Sequence, residues 1–149
     1  MDDFLQGIIT NKVFWVTLLS WAVAQGMKIL IGLLQGKKFN FYWILRTGGM
    51  PSAHSAAVAA LALSLGKEMG YASGVFALAA ILALITMFDA QTWRRSIGVQ
   101  ARMLNLIMDD IQQRKKIEEN KIKELMGHTP VEVFVGTIIG FVVFLLFYH

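Results

Sequence analysis

Four apolar segments, each near the length of a membrane-spanning helix, dominate this chain of 149 residues. A helix that crosses the roughly 30 Å hydrocarbon core of a bilayer needs about 20 mostly apolar residues, and about 17 suffice at the short end. Residues 13–34, 71–88 and 131–148 meet that length, whereas 53–65 is shorter and rich in alanine. The hydrophobic content of 56% also exceeds the ~45–50% typical of soluble domains. The sequence therefore predicts an all-α integral membrane protein, a single domain over residues 1–149 with a four-helix transmembrane bundle.

The connecting segments differ in charge, which predicts how the chain is oriented. The turn Gly66–Gly70 joins the two middle spans as an antiparallel hairpin. With four spans, residues 35–52 and 90–130 lie on one side, and both termini lie with the hairpin turn on the other. Most Lys and Arg residues fall on the first side, and only Lys12 and Lys67 flank spans on the second. By the positive-inside rule the first side is cytoplasmic, and we expect the protein in the cell membrane.

Residues 97–126 mix charged and apolar side chains. Val99, Met103 and Leu106 recur at helical spacing, which predicts a cytoplasmic amphipathic helix or helical hairpin between the third and fourth spans. Three interpretations stay open: a solvated face over a packed stripe, attachment to the membrane surface, or a subunit contact that forms a homo-oligomer. The chain contains no cysteine, so disulfides and Cys-based zinc sites are excluded.

Ionisable residues gather near one predicted membrane face. A charged side chain at the centre of a membrane helix costs about 2.5–3.5 kcal/mol on insertion scales, so such residues point to function by default. Here they come from separate stretches of the sequence but fall near the cytoplasmic ends of the predicted spans. They are Lys28, His54, Asp89, Arg94, Arg95, His128 and Glu132.

The stretch "GGMPSAH" predicts a helix start that can bind an anion. Ser52 is a good N-cap, and Gly48-Gly49 lets the backbone approach a ligand closely. The N–H groups at such a helix start, together with the helix dipole, favour phosphate. His54 would face the same pocket. The alternative is a capped helix start with a histidine at the membrane interface.

The second histidine stands in "GHTPVEVFVG". If one helix includes both His128 and Glu132, their spacing of four residues puts them on one face. The carboxylate could then accept the proton of one imidazole nitrogen and leave the other nitrogen as a nucleophile or base. Pro130 suits the first turn of that helix. The alternative is a histidine at a helix N-terminus that is merely capped by glutamate.

Two further stretches supply charge. Adjacent Arg94 and Arg95 point in different directions on a helix, so at most one of them enters a shared pocket, and membrane anchoring explains them equally well. Lys28 lies roughly a turn and a half before the end of its span and is harder to explain as an anchor. Asp89 is expected to pair with Lys28 or with an arginine.

These residues resemble the motifs of the type 2 phosphatidic acid phosphatase (PAP2) superfamily, which includes the vanadium haloperoxidases, and most closely its divergent PAP2 membrane branch. "PSAH" is similar to the Pro-Ser-Gly-His second motif with Ala53 in place of Gly. "GHTPVEVFVG" is similar to the end of the third motif with Glu132 in place of Asp, and Lys28 matches the lysine of the first motif. The resemblance covers roughly residues 25–140.

The sequence departs from the superfamily pattern at two places. Gln35-Gly36 stands where the first motif has Arg-Pro. No arginine adjoins His128, so Arg94 or Arg95 would replace the third-motif arginine, with residues 97–126 as an insertion between the two halves of that motif.

The resemblance implies a membrane phosphatase that hydrolyses a lipid or isoprenoid phosphomonoester or diphosphate through a phosphohistidine. It implies no metal or other cofactor, and vanadate or phosphate as anions that fit the site. His128 would be the nucleophile, Glu132 would orient it, and His54 would be the general acid and base. The phosphate would be bound by Lys28, Ser52, Arg94 and Arg95, with support from Asp89, Gly48 and Gly49.

Two alternatives from other classes remain. One is a noncatalytic protein that binds or translocates a lipid phosphate, because the first motif lacks its arginine. The other is a structural membrane protein whose amphipathic segment recruits a cytoplasmic partner. The expected partners are the bilayer and a phosphorylated lipid, with no nucleic acid.

Overall fold

The computed structural model describes residues 2–36, 49–115 and 128–148, without the side chains of 2, 93–95, 110 and 112–115. Within these ranges the chain is all helical and contains no strand. The helices are α1 (Asp2–Thr10), α2 (Lys12–Leu34), α3 (Ala53–Met69), α4 (Gly74–Gln91), α5 (Trp93–Lys115) and α6 (Pro130–Phe147).

Three of the described segments are long and apolar enough to cross a membrane, as judged by length and composition. Helix α3, at 17 residues, is shorter than these and corresponds to the predicted short span 53–65. The three segments are Lys12–Leu34, Gly74–Asp109 and Pro130–Phe147.

Helix α3 occupies the centre of the described fold and packs against α2, α4 and α6. Its buried positions are all small residues, such as Ala56, Ala60 and Ser64, so that neighbouring backbones can approach closely. The closest approach is to α6, where a Cβ added at Gly136 or Gly140 would collide with the carbonyl oxygens of Ser52 and Ala56. The alanine and glycine content thus explains why this short helix can lie between the others.

The hairpin turn lies later than predicted. We expected the turn at Gly66–Gly70, but α3 continues to Met69 because Lys67 and Glu68 are good helix formers. The chain reverses at Gly70, whose φ of +88° suits glycine, and Ser73 then caps α4. Gly66 is inside the helix, where the rings of Tyr71 and Phe76 pack directly against its Cα.

The predicted insert begins with a continuous helix. Helix α5 starts directly after α4, with only Thr92 between them, and reaches Lys115. Large apolar side chains on it, among them Leu106 and Ile107, are exposed. The rest of the predicted insert, 116–126, lies outside the described residues, and so does the choice between a helix and a hairpin.

Candidate functional site

The N-terminus of α6 fixes a histidine–glutamate pair. Thr129 is the N-cap: its hydroxyl accepts from the Glu132 amide (3.3 Å), and its own amide donates to Glu132 Oε2 (3.2 Å), which is a capping box. The same Oε2 lies 2.9 Å from Nδ1 of His128, and His128 is only 1% exposed. An ionised carboxylate can only accept, so it pairs with an imidazole that carries a proton on Nδ1; in the neutral form of that imidazole, Nε2 carries the lone pair.

This geometry differs from the one expected. His128 precedes the N-cap and is not part of α6, so the pair does not arise from two positions on one helical face. Instead the capping box folds the Glu132 side chain back over the helix start, where the imidazole meets it. The contact therefore depends on Thr129 as much as on the spacing of four residues.

Backbone hydrogen bonds tie this helix start to two other segments. The Ser52 amide donates to the Glu132 carbonyl oxygen (3.0 Å), and the His128 amide donates to the Ala90 carbonyl oxygen (3.0 Å). The start of α3, the end of α4 and the start of α6 therefore meet at one place. The amide of Ser52 is committed to Glu132, so an anion at the start of α3 would be held by amides that follow it.

Ser52 caps α3 as predicted and is completely buried. Its hydroxyl accepts from the Ser55 amide (3.3 Å) and from the Ser55 hydroxyl (2.9 Å). His54 follows two residues later in the first turn of α3 and is half-buried. Both residues are thus carried on the rigid helix start that the Glu132 backbone holds.

Helix α2 brings a cation to the same region. The Lys28 ammonium donates to Gln25 Oε1 (3.2 Å), and the Glu132 carboxylate is near enough to interact with it electrostatically. A Cβ added at Gly49 would lie 3.9 Å from the side chain of Lys28. Gly49 also has a φ of +87°, a conformation that favours glycine. Lys28, Gly49, Ser52, His128 and Glu132 are therefore gathered from three parts of the chain.

The remaining predicted residues are only partly described. Asp89 directly precedes Ala90, the residue that binds the His128 amide, and it lines an apolar groove between α4 and α6. Gly48 lies outside the described residues, and so do the side chains of Arg94 and Arg95, whose place in the pocket stays a prediction.

Sequence reasoning missed four residues that shape the site. Thr129 could have been found, because Thr-Pro-Val-Glu is a capping-box signature. Gly136 and Gly140 form a small-xxx-small pattern that indicates close helix contact. Gln25, the buried partner of Lys28, carries no comparable signal.

A lysine, a helix start and a histidine held by a carboxylate meet at this site. No group of three or more His, Asp or Glu side chains suitable for a metal ion occurs in the part of the chain that the structure describes. In proteins generally, a lysine and a helix start can bind a phosphate, and an imidazole held by a carboxylate can act as a nucleophile.

Fold and site define a helical membrane protein with a buried histidine–glutamate pair at one end of its bundle. The model of the divergent PAP2 family matches residues 9–143, so the chain belongs to the divergent PAP2 family, as its motifs indicated. An uncharacterized membrane protein of Bacillus subtilis (strain 168), YuiD, is 38% identical over 144 residues, which cover 89% of this chain and 91% of that protein. No solved structure matches. A membrane location fits both this relative and the apolar helices.

Proposed function

We propose that the protein is a membrane phosphatase that hydrolyses a lipid or isoprenoid phosphate, or the corresponding diphosphate, without a metal. The observation that carries the proposal is the buried His128 whose Nδ1 is held by Glu132 at 2.9 Å. A carboxylate that binds one imidazole nitrogen fixes the ring and raises the basicity of the other, as in other nucleophile–orienter pairs. Membership of the divergent PAP2 family supports the same chemistry.

In the first step, Nε2 of His128 attacks phosphorus and the bond from phosphorus to the leaving oxygen breaks. His54 donates a proton to that oxygen, and the phosphoryl group remains on His128. The lipid departs as an alcohol from a monophosphate and as the lipid monophosphate from a diphosphate. Glu132 stabilises the positive charge that develops on the ring.

In the second step, His54 takes a proton from a water molecule, whose oxygen attacks the phosphohistidine. The bond between Nε2 and phosphorus breaks, and inorganic phosphate leaves. Phosphoryl transfer needs mainly positioning and charge stabilisation. Charge stabilisation of the nonbridging oxygens comes from Lys28, from the start of α3 after Ser52, and from Arg94 or Arg95. Asp89 orients the arginine, and Gly48-Gly49 leaves space for the phosphate.

We further propose a four-span bundle with the site on the cytoplasmic face. Helix α3 would cross the membrane in addition to the three longer segments, because 17 residues of α-helix extend about 26 Å, close to the ~30 Å hydrocarbon core. Both termini then lie on the opposite side of the cell membrane. The cytoplasmic insert includes α5, whose exposed Leu106 and Ile107 would bind a second copy in a homo-oligomer.

Purified protein in lipid nanodiscs should release phosphate from an isoprenyl phosphate or from phosphatidic acid in the presence of EDTA, and vanadate should inhibit the release. Because a phosphohistidine is labile in acid, the reaction is quenched at alkaline pH. Radiolabelled phosphate from the substrate should then remain on wild-type protein and not on His128→Ala. Full activity in His128→Ala would contradict the mechanism.

A second candidate is a noncatalytic protein that binds a lipid phosphate. The observation that favours it is the pair Gln35-Gly36, which follows the last residue of α2 and stands where the superfamily has Arg-Pro. One guanidinium is therefore missing from the end of this helix. This candidate predicts saturable binding of the same lipids, sensitive to Lys28→Met, with no release of phosphate.

A further inference from the structure

An apolar groove of about 830 Å³ lies between α4 and α6. This volume is within the range of ~300–1,000 Å³ that small-molecule sites occupy. Its α4 wall includes Leu84, Ile85 and Phe88, and its α6 wall includes Val133, Phe134 and Thr137. Thr137 and Met87 meet across the two helices, with the Thr137 hydroxyl 3.6 Å from the methionine sulfur.

The groove opens toward the outside of the helical bundle. Both of its walls belong to segments that are long and apolar enough to cross a membrane. Ile85 is 61% exposed and Phe134 is 66% exposed, so the groove opens sideways toward whatever surrounds the bundle. In a membrane that surrounding is lipid.

The polar residues of the groove lie mainly at one end. Asp89 and Gln91 of α4 lie opposite Pro130, at the start of α6. The adjacent Ala90 carbonyl oxygen accepts from the His128 amide, so this end of the groove adjoins the histidine–glutamate pair. Asp89 would repel an anion inside the groove, and a phosphate therefore belongs beyond this end, toward His128 and Lys28.

We propose that the groove binds the hydrocarbon chain of a phosphorylated lipid whose phosphate group reaches His128. This inference deepens the proposed function and rests on it for the identity of the phosphate site. The lining from Pro130 to Thr137 spans about 10 Å of helix, roughly a third of the hydrocarbon core. The groove thus holds the part of the chain nearest the phosphate, and the rest of the chain extends into the bilayer.

The test uses hexadecyl phosphate with a photoreactive diazirine on its chain, added to the full-length protein in nanodiscs. Cross-links should map to α4 and α6, excess unlabelled hexadecyl phosphate should compete, and butyl phosphate should compete at least tenfold more weakly. A hexadecanol probe with the same diazirine should label these helices far less, because it lacks the phosphate.

Two substitutions on α4 form a matched pair. Ile85 lines the groove, whereas Ile81, one turn earlier and 54% exposed, does not. Ile85→Trp should lower the cross-linking yield about tenfold by filling the groove, and Ile81→Trp should leave it unchanged. Thr137→Phe, from the other wall, should act like Ile85→Trp.

The outcomes separate this inference from the phosphatase proposal. If wild type and Ile85→Trp are labelled equally, or if the hexadecanol probe labels as strongly as the hexadecyl phosphate probe, the groove does not bind the lipid chain. The phosphatase proposal can still hold in that case. If Ile85→Trp abolishes the labelling but the wild-type protein releases no phosphate, the groove binds the lipid chain and the phosphatase proposal is wrong.

Discussion

The two ends of the helical bundle both carry polar side chains, but they hold them in different ways. At one end, His128 and Glu132 are fixed by a capping box and by backbone hydrogen bonds to Ser52 and Ala90. At the other end, the Lys12 ammonium lies 4.2 Å from the centroid of the Tyr148 ring. That ring stacks on Phe144, and its hydroxyl lies beside Ser64 and Glu68.

The two ends differ in how tightly their polar side chains are positioned. Aromatic and basic side chains at a span end are typical of anchors at the membrane interface. A buried imidazole held by a carboxylate and tied to three chain segments is positioned far more tightly than anchoring needs. The polar residues alone would not distinguish the two ends, whereas the hydrogen bonds that hold them do.

The strongest test of this contrast substitutes one side chain at each end. His128→Ala should lower phosphate release at least ~1,000-fold, because it removes the proposed nucleophile. Tyr148→Phe, at the other end, should change it less than about twofold. The measurement is phosphate release in nanodiscs, with the melting temperature as a check on folding. Comparable losses in the two variants would contradict the contrast.

The next test separates the two roles of Glu132. Gln can replace Glu in a capping box, so Glu132→Gln should leave the melting temperature nearly unchanged. It cannot supply the negative charge that favours the imidazolium, so kcat should fall about 100-fold or more. Thr129→Ala is the complementary variant, since it should lower the melting temperature through the lost cap.

A loss of melting temperature in Glu132→Gln that matches the loss in Thr129→Ala would indicate that Glu132 is only a cap. A loss of kcat without a loss of stability would assign it to the chemistry.

Parts of this site could be predicted from the sequence, and other parts could not. Pro51-Ser52 indicated the start of α3, and Ser52 caps it. The association of His128 with Glu132 was expected, although through a shared helix rather than through a capping box. The bonds from Ser52 to Glu132 and from His128 to Ala90 join backbone groups, and no side chain signals them in a single sequence.

Boundaries were predicted less well where glycines occur close together. Gly66 and Gly70 both suggested a turn, but only Gly70 has a positive φ. Gly66 is needed for contact with Tyr71 and Phe76, which sequence spacing does not reveal. A glycine can be required either for its backbone conformation or for close packing, and a single sequence does not distinguish these two roles.

A third test concerns the packing beneath the site. A Cβ at Gly136 would collide with the Ser52 carbonyl oxygen, so Gly136→Ala should destabilise the protein by about 1–3 kcal/mol and displace the start of α3. Among the residues that the structure describes, none outside the backbone of α2 has an atom within 4 Å of the position that a Cβ at Gly26 would occupy, so Gly26→Ala should be neutral or stabilising by up to ~1 kcal/mol. Thermal unfolding in detergent measures both.

Gly140→Ala refines this test, because it presses on Ala56, one turn further from the site. It should lower stability like Gly136→Ala but affect kcat less. Equal effects on kcat would mean that the start of α3 does not position the catalytic groups.

The smallest expected effects come from the two lysines, one at each end. Lys28→Met should raise KM about tenfold, because it removes a cation that lies beside Gln25 and Glu132 and that we propose binds the phosphate. Lys12→Met removes only the contact with Tyr148, and a cation–π pair at an exposed position contributes about 0.5–1 kcal/mol to stability. Its KM should equal that of the wild type. Steady-state kinetics over a range of substrate concentrations distinguishes the two. If both lysines changed KM equally, the effect would be general attraction of an anionic lipid to a basic protein, and Lys28 would lose its assignment to the phosphate.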